Sequence, residues 1–246
     1  MIEAADAPVL AHLLPRLEAF CRELRAVLKD NLVSVILYGG VVREEFSPRS
    51  SNVNVMLVAN DLSIGVLDQI APVYHRAARE TPLAMLYMTL AGLARSSDVF
   101  AVKFFDMQRH RRVLFGRDVL AELPFERERL RFRCEQEMKN HLLRLRKFYV
   151  ERGAWPDQIE RALTRTVSSF LTSLSVAVWL KTGDQPPNKS ETIDAAARVF
   201  GLEVRPLRDL LALKEGVYQP DAAALGRLYG DLMKLASECG TLVDAL

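Results

Sequence analysis

Apolar residues in the first half of the chain recur at two different periods. Spacings of three and four indicate amphipathic helices, and short continuous apolar runs indicate buried strands. These patterns predict helices over Pro8–Lys29 and Gly65–Glu80 and strands over Leu32–Tyr38, Asn54–Val58, Leu83–Thr89 and Val99–Met107. The alternation of helix and strand favours an α+β (α/β-like) domain built around a small mixed sheet.

After Pro124 the pattern changes, because every later periodic segment is helical. The predicted helices are Glu126–Arg152, Asp157–Thr182, Glu191–Phe200, Pro206–Glu215 and Asp221–Leu246. Short connections between long amphipathic helices are typical of an up-and-down bundle. We therefore predict two domains: residues 1–122 around the sheet, and residues 123–246 as an all-α helical bundle.

The stretch from Leu32 to Val58 is the part of the sequence that points to a site. A buried strand ends at Gly39 and Gly40, and a short helix is expected to open over Val41–Glu45. Glycine tolerates positive φ and lets a ligand approach the backbone closely. Free N–H groups at such a turn are suited to binding phosphate.

This stretch resembles the nucleotidyltransferase superfamily, which includes DNA polymerase beta and the kanamycin-type aminoglycoside nucleotidyltransferases. The family motif is an apolar residue, Gly, Gly or Ser, about a dozen further residues, and two acidic residues flanking an apolar one. Tyr38, Gly39 and Gly40 match the first half of the motif. The second half is Asn52-Val53-Asn54, where the family has two carboxylates.

The resemblance also extends further along the chain. Leu114–Asp118 is similar to a turn of several bacterial members. In the family, two carboxylates and a third from a neighbouring strand hold two Mg²⁺ ions for nucleotidyl transfer. By the resemblance the third position falls on Lys103, in the predicted strand Val99–Met107. Asn52, Asn54 and Lys103 would then leave the site without an anionic metal ligand, so we expect no metal and a degenerate catalytic motif.

The same residues could instead bind a nucleotide or phosphate without Mg²⁺. The candidate ligand-binding residues are Gly39, Gly40, Arg43, Ser51, Asn52, Asn54 and Lys103. Lys103 is also consistent with a surface lysine on an edge strand, and Arg43 with a surface arginine paired with Glu44 or Glu45. On the predicted strand Asp106 faces away from Lys103.

Three functional hypotheses follow from this pattern. The first is a nucleotidyltransferase-fold pseudoenzyme that binds a nucleotide or phosphate, or regulates a partner, with no cofactor. The second is an active enzyme, which would need Mg²⁺ and would transfer a nucleoside monophosphate from a triphosphate to a small molecule or protein. The third is a structural homodimer, formed through the helical bundle, that binds no ligand.

Composition excludes several other classes of protein. The net charge of +2 requires no polyanionic partner, and the basic run Arg109–Arg112 lacks interleaved aromatic residues, so no nucleic-acid ligand is expected. No apolar run approaches the roughly 20 residues that span a bilayer, and no membrane association is expected. The three scattered cysteines, Cys21, Cys134 and Cys239, are typical of buried thiols in a reducing compartment, and we expect a cytoplasmic protein.

Overall fold

A computed structural model describes residues 8–43, 45–46 and 52–246 of the chain. These residues divide into two compact units. The first contains the residues up to Val99 together with Phe104–Pro124, and the second contains Phe100–Lys103 together with Phe125–Leu246.

The first unit contains a four-stranded mixed sheet. Its strands are β1 (Leu32–Tyr38), β2 (Val53–Ala59), β3 (Leu83–Thr89) and β4 (Arg111–Gly116). Their order across the sheet is β3-β2-β1-β4. Strands β2 and β3 are parallel, whereas β1 is antiparallel to both of its neighbours. The predicted α+β class is therefore confirmed, and β1 and β3 have their predicted bounds.

Helices accompany the sheet in this part of the chain. They are α1 (Pro8–Leu28), α2 (Ile64–Ala78), α3 (Leu90–Ser96) and α4 (Ala101–Arg109). Alternate strand residues such as Val35, Leu37 and Val55 form one core with apolar residues of α1 and α2. Ile36 and Met56, which point to the opposite face, are also fully buried. The continuous apolar runs of β1 and β2 are thus explained by strands that are covered on both faces.

The predicted strand over Val99–Met107 is wrong, because this segment forms helix α4. Its apolar residues occur in adjacent pairs, Ala101 with Val102 and Phe104 with Phe105, and all four are buried. Lys103, between the pairs, is exposed. This pattern follows a helical period rather than the alternation of a strand. The aromatic and β-branched residues suggested a strand, but the burial follows the turns of a helix.

The fourth strand lies a few residues further on, in a segment where no strand was predicted and where the resemblance implied a turn at Leu114–Asp118. Strand β4 pairs with β1 at the edge of the sheet and begins with Arg111 and Arg112. Charged residues are common on edge strands, where they discourage pairing with other chains. They also remove the apolar run by which a strand is recognised in a sequence.

The second unit contains the five long or medium helices of the second half. They are α5 (Arg127–Arg152), α6 (Pro156–Thr182), α7 (Lys189–Phe200), α8 (Arg205–Glu215) and α9 (Ala222–Asp244). Helix α5 packs against α6 and α9, and α6 also contacts α7, α8 and α9. The predicted helical second half is confirmed. The predicted domain boundary after residue 122 stays a prediction.

Helix α6 is the central helix of this unit. It has the length and hydropathy of a membrane-spanning helix, but 61% of its apolar window is buried inside the structure. Phe170, Leu171 and Leu174 are among its buried residues. Its apolar character is therefore explained by its position in the core of the bundle.

Candidate functional site

The site predicted from the sequence lies at the turn that follows β1. Gly39 has a φ of +77°, a conformation that favours glycine. Its N–H donates to the carbonyl of His110 at 3.3 Å, and its own carbonyl accepts from the N–H groups of Val42 and Arg43 at 3.0 and 3.1 Å. Gly39–Val41 form a 3₁₀ turn rather than the α-helix expected to open at Val41.

One backbone N–H group of this turn is a candidate for binding an anion. The N–H of Gly39 is already used, and that of Glu45 donates to the carbonyl of Gly40 at 2.8 Å. In the 3₁₀ turn over Gly39–Val41 the N–H of Val41 is the one that donates within the turn, whereas the N–H of Gly40 lies at its start. A backbone N–H group in such a turn can bind an anion.

Asn54 lies directly against the turn. A methyl group added to Gly39 would be 3.1 Å from Nδ2 of Asn54. The same nitrogen is 3.4 Å from the carbonyl oxygen of Asn52, whose side chain is exposed. The structure therefore brings together Gly39, Asn52 and Asn54, as the motif requires.

Sheet register decides which residues lie beside Asn54. Asn54 pairs with Tyr38 of β1 on one side and with Ala84 of β3 on the other. Paired residues of neighbouring strands lie on the same face, about 5 Å apart. Ala84 therefore occupies the position from which the neighbouring strand could supply a third carboxylate. Strand β3, Leu83–Thr89, contains no acidic residue.

Tyr38 also adds no charge to this row of residues. Burial raises the pKa of its phenol to about 12, so the side chain is neutral at physiological pH. Ala84, Asn54 and Tyr38 thus form a row without an ionised group.

Lys103 does not lie on a strand of the sheet, so its predicted position is wrong. It belongs to the first turn of α4, within the segment Phe100–Lys103 that groups with the second unit. Its side chain is exposed by surface area, yet partial desolvation lowers the pKa of its ammonium group. A ligand-binding role for Lys103 stays a prediction.

A buried charged cluster that sequence reasoning missed adjoins the turn. The guanidinium of Arg43 forms an ion pair with the carboxylate of Asp106, and the two side chains are only 5% and 11% exposed. Nδ1 of His110 lies 3.0 Å from the Arg43 guanidinium and 3.6 Å from the Asp106 carboxylate. Through its carbonyl, His110 also binds the N–H of Gly39.

This cluster corrects two expectations. Arg43 is not a surface arginine, and Asp106 does not lie on a strand facing away from the site. Both positions follow from the helical conformation of α4, which places Asp106 and His110 one turn apart. The helical spacing of the apolar pairs in α4 was the signal that could have revealed this arrangement.

The basic run Arg109–Arg112 is largely used in contacts within the protein. The Arg109 guanidinium lies 3.6 Å from the ring centroid of Phe105. Arg111 binds both carboxylate oxygens of Asp118, and these hydrogen bonds hold the pKa of that carboxyl below its usual range. The run is therefore not simply a solvated charged face.

Two residues named in the sequence analysis, the candidate ligand-binding residue Ser51 and Glu44, lie outside the described residues.

The residues present do not fit a pair of Mg²⁺ ions. Magnesium is bound by carboxylates and phosphates, whereas Asn52 and Asn54 offer only neutral amides. Asp106 is a carboxylate, but Arg43 already neutralises it. No group of three His, Cys, Asp or Glu side chains suited to a metal is found in residues 8–43, 45–46 and 52–246.

Together, the mixed sheet, the glycine turn after β1 and the paired positions at the start of β2 define a protein with the nucleotidyltransferase fold. A spectinomycin adenyltransferase from Enterococcus faecialis, solved with ATP and spectinomycin, superposes with a TM-score of 0.60. The alignment covers 92% of this chain and 98% of that chain at 11% sequence identity, so the likeness concerns the fold. No family model and no curated protein sequence matches the chain.

Proposed function

We propose that this chain is a nucleotidyltransferase-fold protein that has lost metal-dependent transfer and acts by binding a nucleotide or a related phosphate. The observation that carries the proposal is the uncharged row formed by Ala84, Asn54 and Tyr38. It stands where the fold would need carboxylates to hold divalent cations beside a triphosphate.

The argument rests on charge balance. Bringing a divalent cation out of water requires anionic ligands, because neutral amides do not repay the loss of hydration. Asp106 could supply one negative charge only by giving up its ion pair with Arg43. Breaking a buried pair of this kind typically costs several kcal/mol, on the order of 3–5. Nucleotidyl transfer through two metals is therefore disfavoured at this site.

The same site retains features that suit a phosphate group. The N–H of Gly40 lies at the start of the 3₁₀ turn, and Asn54 presents its amide beside Gly39. Backbone N–H groups can bind phosphate oxygens without a metal. A nucleotide is the ligand we propose, since the structural neighbour was solved with ATP. Arg43, Ser51, Asn52 and Lys103 remain proposed contributors.

The experiment is a thermal-shift and calorimetric titration with ATP, with and without a chelator. We expect ATP to raise the melting temperature of the protein, and we expect the chelator to leave this rise undiminished. Gly40→Ala should weaken this effect, because a side chain at this position hinders the close approach of a phosphate to the backbone. The substitution fits the folded protein, as the added carbon would lie 3.6 Å from the carbonyl oxygen of Glu45.

Gly65→Ala is the matched control for this substitution. It adds the same methyl group in α2, where no atom lies within 4 Å. The proposal fails if ATP stabilises neither the unmodified protein nor this control, and such a result would favour a structural role without a ligand. If the Gly40→Ala variant retains full ATP binding, the proposed location of the binding site is wrong.

One observation favours the active alternative. Asp106 is a buried carboxylate whose cluster contacts the glycine turn, so it could serve as an unconventional metal ligand. Magnesium-dependent release of pyrophosphate from ATP, abolished by Asp106→Asn, would support that alternative. Absence of pyrophosphate release across small-molecule and protein acceptors would favour the pseudoenzyme.

A further inference from the structure

Helix α5 exposes a straight line of apolar side chains. Phe132, Leu143 and Val150 are 56%, 60% and 87% exposed. With 3.6 residues per turn, their spacings of eleven and seven place all three within about 20° of one line along the helix. The line is about 27 Å long at a rise of 1.5 Å per residue. Three aligned and exposed apolar residues mark a candidate contact surface.

Basic side chains flank this line. Lys139, Arg146 and Lys147 are exposed and lie within about 60° of it on the helix surface. Helix α5 carries nine basic and four acidic residues, and residues 138–150 include none that is acidic. We define the basic α5 face as Phe132, Lys139, Leu143, Arg146, Lys147 and Val150.

Internal contacts neutralise only part of this face. Lys139 contacts Glu135, and Lys147 lies 3.8 Å from Glu151. Arg146 has no ion-pair partner in the part of the chain that the structure describes. Exposed ion pairs on a helix contribute little and are easily exchanged for other partners. Basic side chains therefore exceed acidic ones around Leu143 and Val150, while the exposed Glu128 lies one turn before Phe132.

We propose that the basic α5 face binds an acidic amphipathic helix of another protein. Leu143 and Val150 are seven residues apart, a spacing at which apolar side chains of one helix contact another, and Phe132 lies on the same side about three turns earlier. The flanking basic residues would pair with carboxylates on both sides of the partner's apolar stripe. The inference does not depend on the proposed nucleotide site at the turn after β1.

Two other occupants fit this face less well. A second copy of the chain would bring like charges together, because a two-fold interface places the same patch on both sides. A membrane surface would require a broad apolar face for insertion, whereas this line is one side chain wide.

The test uses the full chain and a synthetic helical peptide of Leu–Glu heptads, with leucines at the a and d positions. A peptide with every Glu replaced by Lys is the control ligand. We expect the Glu peptide to bind and the Lys peptide not to bind. Arg146→Glu combined with Lys147→Glu should weaken binding of the Glu peptide at least about tenfold, as should Leu143→Ser.

The matched control is the same double charge reversal on α9, Arg227→Glu with Lys234→Glu, also at exposed positions. It should leave binding unchanged, and circular dichroism checks that every variant is folded. The inference is overturned if the Glu peptide does not bind, if both peptides bind equally, or if the α5 and α9 reversals have the same effect.

The competing occupants also have their own readouts. Binding to phosphatidylserine vesicles that is lost on Arg146→Glu with Lys147→Glu, without any preference for the Glu peptide, would assign the face to a membrane. A dimer in sedimentation equilibrium that Leu143→Ser dissociates would assign it to a second copy. Either result would overturn the proposed protein partner.

Discussion

The ion pair between Arg43 and Asp106 is buried on both sides and touches the backbone of the candidate site through His110. Buried charges of this kind are tolerated only as a pair, because either charge alone would be buried with neither water nor an opposite charge beside it. Nε of Arg43 is buried without a partner among the described residues, which leaves the guanidinium dependent on Asp106 and His110.

Arg43→Met is therefore expected to destabilise the protein by about 3–5 kcal/mol, because it leaves the Asp106 carboxylate buried and unpaired. The double variant Arg43→Met with Asp106→Leu should recover much of this loss, since it removes both charges. Urea unfolding of the two variants measures the difference. Equal stability of the single and double variants would mean that the charges are not coupled.

His141 in α5 supports a separate prediction about pH. It is 3% exposed, it packs edge-on against Phe170, and desolvation together with the charge of Arg144 lowers its pKa from 6.5 to about 4. The unfolded chain therefore takes up a proton at higher pH than the folded one. Stability from this residue is complete above pH 6.5 and is lost as the pH falls towards 4, by about 3 kcal/mol in all.

The measurement is the free energy of unfolding between pH 4 and pH 7. His141→Gln should flatten this dependence relative to the unmodified protein, because no proton is then bound at the position. His75→Gln, at an exposed position of α2, is the control for the replacement of a histidine. A slope identical in all three proteins would contradict the expected titration of His141.

At the level of elements, the register between β2 and β3 determines what the site can bind. The sequence motif predicted Asn52 and Asn54 correctly as neighbours, because residues two apart on a strand share a face. It placed the third position on Lys103, whereas Ala84 is the residue paired with Asn54. Parallel pairing of two strands separated by α2 cannot be deduced from either strand alone.

Restoring three carboxylates tests this register. Asn52→Asp, Asn54→Asp and Ala84→Asp together should create a Mn²⁺ or Mg²⁺ site, because three anions would then lie on one face of β2 and β3. Combining the two asparagine changes with Lys103→Glu should not, since Lys103 lies on α4. Electron paramagnetic resonance of bound Mn²⁺ distinguishes the two triple variants. Equal metal binding by both would contradict the register argument.

At the scale of the whole molecule, the chain divides into a sheet unit and a helical unit with separate cores. The core of the helical unit is built around α6, whose buried residues contact α5, α7, α8 and α9. These helix contacts lie within residues 125–246, and Phe100–Lys103 also group with this unit. A unit with its own core is able to fold alone.

A fragment comprising residues 125–246 is therefore expected to fold independently. Its thermal unfolding, followed by circular dichroism, should be cooperative and should start from a largely helical spectrum. Replacement of Phe170 by Ala should lower its stability by about 3–5 kcal/mol, because the side chain is fully buried. A non-cooperative transition in the unmodified fragment would contradict an independent core.

The sequence by itself determined the fold class, the helical second half, and the neighbouring positions of Gly39 and Asn54. The first two features depend on local periodicity, whereas the third follows from the resemblance to the nucleotidyltransferase motif. Only the tertiary structure decided that Ala84 lies beside Asn54 and that Asp106 neutralises Arg43. Those contacts join residues 30 to 63 positions apart. Their physical cause is the packing of separate elements, which no local pattern records.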